Sequence, residues 1–204
     1  MPFAYQGVKP IHNTMLERFT IRTFNPNAIK DCAIGNGVEV TFWGKEKGAD
    51  MFPTPDYRWV TFTKVQPNLW KITKIWNTKT DKIEDVAIYD GKTFTDADIQ
   101  SFHKYHNYYI SVPAKDKDGV PLMVRHKLNN SLCEDDKTYR LTDMLEKMDK
   151  TRDSYLKASY DSDNDLLINI IHNGYLYYTY IGGMTYQEFN DKYGWYISSF
   201  NFYL

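Results

Sequence analysis

The stretch LLINIIHNGYLYYTYI, residues 166–181, constrains the fold of this chain more than any other. Asn173 and Gly174 form the preferred central pair of a two-residue hairpin turn, because both positions require positive φ and these residues tolerate it. With the turn set, the register follows. His172 faces Tyr175, Ile170 faces Tyr177, Ile168 faces Thr179 and Leu166 faces Ile181 on one side. Leu167, Asn169, Ile171, Leu176, Tyr178 and Tyr180 are left for the other. Both sides are largely apolar, so the hairpin predicts an interior place in a sheet that is covered twice. A helix at 143–158 is expected to supply one cover. A short C-terminal helix, an N-terminal arm or a neighbouring subunit are the candidates for the second.

Period-two alternation predicts strands at 18–24, 38–43, 57–65, 69–77 and 83–89. The last three form an antiparallel meander, joined by a tight turn at Gln66, Pro67 and Asn68 and a longer one from Asn77 to Lys82. Thr95 and Asp98 make a capping box for a short helix running to about Tyr105. Asp118 and Gly119 lie at the centre of a second hairpin, between NYYISVP and VPLMVRHK. For the helix at 143–158, Asp143 is the expected cap, and Leu145, Met148, Arg152, Tyr155 and Leu156 recur at helical spacing. Thr185 with Glu188 starts a last short helix that Gly194 is expected to stop, and WYISSFNFYL reads as a terminal strand. The pattern predicts an α+β fold, predominantly antiparallel sheet (a meander plus hairpins), with one longer amphipathic helix and two short ones. Residues 1–14, broken by Pro2, Gly7 and Pro10, read as an extended arm, and 15–204 as a single domain.

Several function classes are disfavoured. The net charge of −1 provides no global attraction for nucleic acid or an anionic membrane. Neither a signal-peptide core nor a run of about 18 apolar residues occurs, so the chain reads as soluble and unexported, in the cytoplasm or in a virion. Cys32 and Cys133, without a CxxC, fit two free thiols in a reducing compartment.

No motif for catalysis, cofactor or metal emerges. Asp161, Asp163 and Asp165 have the opening spacing of a calcium loop, but Leu166 stands where that loop needs glycine and His172 where it needs a bidentate glutamate. His103 and His106 have no third ligand nearby in the chain. Pro55 and Asp56 have the opening of a metal-dependent nuclease signature, but Phe62, two residues before Lys64, cannot ligate. Cys133 precedes three acids, which disfavour its thiolate. The chain is therefore expected not to be an enzyme and to carry no cofactor.

Two surfaces remain. Over 57–82, six basic residues stand against one acidic, with rings between them. Lys64, Lys71, Lys74, Lys79 and Trp76 are the candidate contacts of a single-stranded nucleic-acid surface, where cations track the backbone and rings stack on bases. The other reading is a structural or interaction protein that acts through assembly, such as a viral or phage head-tail or tail component, with protein partners and self-association. Its candidate interface residues are Phe3 and Tyr5 on the arm and Tyr178 and Tyr180 on the hairpin. Heavy use of Asn, Lys, Ile, Tyr and Asp, which AT-rich genomes favour, points toward the virion form of this reading.

Overall fold

In a computed structural model the described residues are 17–41, 57–77, 80–85, 92–102, 108–148, 154–197 and 201–203. The fold is α+β, built mainly from antiparallel sheet with four short helices. It forms two compact units, one comprising Arg22–Ser111 and the other Val112–Leu204 with the chain up to Ile21. Among the described residues no helix is long and apolar enough to cross a membrane. The predicted arm at 1–14 lies outside them.

The first sheet contains β1 (Arg18–Thr23), β2 (Gly37–Thr41), β3 (Tyr57–Gln66), β4 (Leu69–Asn77), β5 (Lys82–Asp85) and β6 (Tyr108–Pro113), in the order β1-β6-β2-β3-β4-β5. The predicted meander is β3-β4-β5. Its tight turn has Asn68 at φ 56°, with Gln66 opposite Leu69. The helix α1 (Ala28–Asp31) was not expected, since one turn is too short to show a period. The helix α2 (Asp96–Phe102) begins at the predicted capping box. The Thr95 amide donates to Asp98 Oδ2 at 2.8 Å and the Asp98 amide to Thr95 Oγ1 at 3.2 Å. Phe62 stacks on Phe102 and meets Phe94 edge-on, at centroid separations of 5.6 and 5.1 Å, which packs the α2 segment on the meander.

The second sheet contains β7 (Leu122–Lys127), β8 (Tyr139–Arg140), β9 (Tyr155–Tyr160), β10 (Leu166–His172), β11 (Tyr175–Ile181) and β12 (Asn201–Tyr203), in the order β12-β9-β10-β11-β7-β8. The β10–β11 register is the one the turn dictated, with Asn173 at φ 52° and Gly174 at φ 79°. One face of this sheet is covered by α3 (Leu141–Met148), through Leu141, Met144, Leu145 and Met148, and by α4 (Tyr186–Ile197), through Phe189 and Tyr193. Beneath them lie Leu156, Ala158, Leu166, Ile168, Ile170 and Tyr177, each large aliphatic residue contributing about 1.5–3 kcal/mol by burial. On the opposite face, Phe19 of β1 packs against Tyr178 and Tyr180 at centroid separations of 6.4 and 6.5 Å. The second cover therefore includes a strand from this same chain.

Several expectations are corrected. The helix predicted over 143–158 ends at Met148, and Tyr155–Tyr160 is a strand. Leu156 and Ala158 suit either period. As a strand they pair with Ile170 and Ile168 and satisfy the outer backbone edge of β10, which a helix would leave open. Asp143 sits inside the first helical turn, 3.9 Å from Arg140 Nη1, and is not the cap. Gly194 does not stop the last helix, which continues to Ile197, so the terminal strand shrinks to Asn201–Tyr203 and runs parallel to β9. One interior glycine costs a helix only about 1 kcal/mol, which neighbouring packing outweighs. At the other end of α4, Thr185 and Glu188 form the predicted capping box. The Asp118–Gly119 turn is present, with Gly119 at φ 80° and Asp116 Oδ1 accepting from the amides of Asp118 and Val120. Its two strands then diverge into different sheets.

Candidate functional site

Among the candidate contacts of the basic meander, Lys64 is turned inward. Lys64 is only 5% exposed. It lies on the same side of β3 as Phe62, its Nζ donates to the Lys30 carbonyl at 2.7 Å, and it stands 5.8 Å from the Trp70 ring. Trp70 is buried and donates from Nε1 to Asp96 Oδ1 at 2.7 Å, while Trp59 and Phe62 are buried too. Phe62 and Trp70 share the side that the α2 segment fills, whereas Trp59, three residues from Phe62 and opposite Trp76, is buried on the other side. Lys71 and Lys74 are half-buried on the outer side. Lys79 and the side chain of Trp76 lie outside the described residues.

Of the candidate interface residues, Tyr178 and Tyr180 are fully enclosed, at 0% and 1% exposure. Tyr178 Oη lies 3.6 Å from Cys133 Sγ, and burial raises both groups, the thiol to about 12 and the phenol well above its usual range. Cys133 is therefore a neutral core thiol. Phe3 and Tyr5 lie outside the described residues, as do His103, His106, Pro55 and Asp56. The Asp161 turn is a backbone device: its Oδ1 accepts from the amides of Asp163 and Asp165, both at 2.9 Å.

One polar cluster of the second sheet lies on the α3-covered face, at the hairpin end. Alternation places Ser154, His172, Tyr175, Tyr177, Arg125 and Tyr139 on this face, running from β9 to β8. Ser154 Oγ and His172 Nδ1 are 2.8 Å apart and both residues are buried, tying the start of β9 to the hairpin. Burial, and then the charge of Lys147, hold the His172 pKa below its ordinary value. Ser154, only 2% exposed, is not presented as a nucleophile.

Arg125, directly opposite Tyr177 in the ladder, carries its guanidinium carbon 4.4 Å from the Tyr175 ring centre and 5.1 Å from that of Tyr139. These rings come from the two strands that flank β7, and Tyr139 meets Tyr177 edge-on at 5.2 Å. The third polar contact is Nη1 donating to Tyr177 Oη at 3.5 Å. Tyr139 also borders a cavity of about 440 Å³ beside α3, lined in addition by Arg140, Met144 and Lys147. Sequence reasoning missed this cluster. The hairpin holds no Lys or Arg of its own, and the cation arrives from a strand 52 residues upstream of Tyr177. No family model, no curated protein and no solved structure matches this chain.

Proposed function

We propose that this chain is a structural or interaction protein that works as part of an assembly, and that it contacts further copies of itself. The observation that carries this reading is the outer side of the first sheet within the Arg22–Ser111 unit. There Tyr109 is 36% exposed, with the Arg22 guanidinium carbon 5.9 Å from its ring centre. Glu39 stands opposite Tyr109, Thr61 opposite Glu39, and Lys74 opposite Thr61. Phe24 and Ile34 of the same unit are also exposed. A pre-ordered tyrosine and arginine among polar neighbours is the composition that supplies most of the binding energy in protein interfaces. The basic stretch at 57–82 belongs to this unit and the acidic stretch at 134–165 to the other, so opposed charges favour head-to-tail contact, which closes into rings or extends into filaments. The viral or phage particle is the assembly that the composition favours, and the cytoplasm or the particle is the corresponding location. The nucleic-acid alternative rests on Lys71 and Lys74, without the buried rings.

Light scattering on the purified chain, at low and high salt and with or without residues 1–14, tests the reading. The expected result is a mass several times 24.1 kDa at low salt, falling in a Tyr109→Asp variant. A monomer under every condition would overturn self-assembly.

A further inference from the structure

We propose that Arg125 anchors a binding site for a small oxyanion, a carboxylate or phosphate group, at the hairpin end of the second sheet. This goes beyond the assembly reading and does not depend on it. A guanidinium has five N–H donors in a planar fork, and among the described residues its acceptors here are tyrosine hydroxyls, Tyr177 Oη at the long distance of 3.5 Å and that of Tyr139, which leaves donors of the fork for a ligand. Arg125 is half-buried, and among the described residues no carboxylate pairs with it. Three acids of the neighbouring segments have partners of their own. Glu134 is held by Lys127 Nζ at 3.1 Å, Asp135 Oδ1 accepts from the Lys137 amide at 3.0 Å, and Asp116 pairs with Arg140 at 2.8 Å.

The guanidinium is also ordered before any ligand arrives. Tyr175 and Tyr139 flank it from opposite neighbouring strands, so little rotamer entropy remains to be lost on binding. A fixed planar fork matches the two oxygens of a carboxylate or phosphate in a way that a flexible ammonium does not. A second positive charge, Lys147, faces this end of the sheet from α3, close enough to disfavour protonation of His172. Lys147 and Tyr139 both line the adjoining open cleft of about 440 Å³, which Arg140 also borders and in which Asp143 and Glu146 stand on the α3 side.

The test follows the Arg125 Nε–Hε resonance of the ¹⁵N-labelled full-length chain during titration with sodium phosphate and with sodium acetate, against sodium chloride at matched ionic strength. A saturable shift with phosphate or acetate, absent with chloride, is expected, and the stronger of the two names the class of ligand. Following the Tyr139 and Tyr175 ring resonances, Arg125→Met should abolish the response. Arg125→Lys, which keeps the charge and removes the fork, should weaken it at least about tenfold. No saturable shift with either anion, or an undiminished ring response in Arg125→Lys, would overturn the proposal. If Arg125→Met fails to fold, the lysine variant alone decides.

Discussion

Trp70 should act as a structural clamp and not as a stacking ring, and a double-mutant cycle with Asp96 measures this. The indole is fully buried and its Nε1 donates to Asp96 Oδ1 at 2.7 Å. The backbones are also tied, by the Trp70 amide to the Phe94 carbonyl at 2.8 Å and its reciprocal at 2.9 Å. A hydrogen bond to a charged group contributes about 1.5–3 kcal/mol, and the partial exposure of Asp96 reduces this to about 1 kcal/mol. Trp70→Phe also removes ring volume from the core, so its total cost should be about 2–3 kcal/mol. Asp96→Ala should cost about 1–2 kcal/mol, including the loss of a negative charge from the first turn of α2. The double variant should then be more stable than the sum of the two by about 1 kcal/mol. Urea unfolding followed by far-ultraviolet circular dichroism gives the global values, and amide exchange across Phe94–Phe102 gives the local ones. A coupling below about 0.3 kcal/mol, or loss of oligonucleotide retention in Trp70→Phe without loss of stability, would refute the clamp.

Gly174→Val should destabilise the chain by at least about 1 kcal/mol. The cause is backbone strain at φ 79° and not crowding, since nothing lies within 4 Å of an added Cβ; chemical denaturation showing no change would refute the turn assignment. Stability should also fall in acid. Burial holds His126 below its ordinary pKa of 6.5, so above that pH the folded and unfolded rings are both neutral and stability is unaffected. As pH falls below about 6.5 the unfolded ring takes up its proton first, and stability is lost progressively toward the lower folded value. Nδ1 bonds the Lys127 carbonyl at 2.8 Å, and the ring packs beside Tyr178 at 5.9 Å. His126→Gln should flatten this part of a stability-against-pH profile, and an unchanged slope would count against it.

What the sequence determined by itself is local. The β10–β11 register, the two capping boxes and the tight turn after β3 depend on φ preferences and on side chains reaching backbone amides three residues away. Those interactions are complete within a few residues, whatever surrounds them. The tertiary structure decided matters in which two local answers have nearly equal free energy. Leu156 and Ala158 fit a helix or a strand, and the open edge of β10 selected the strand. Alternation along the meander fixed that Lys64 shares a side with Phe62 but not which side faces in, and the packing of the α2 segment turned both inward. The tyrosines of the hairpin lacked a cation in sequence, and ladder pairing brought Arg125 to them from a distant strand. In each case the deciding term is burial or hydrogen bonding with a partner far along the chain, and a reading confined to neighbouring residues does not contain it.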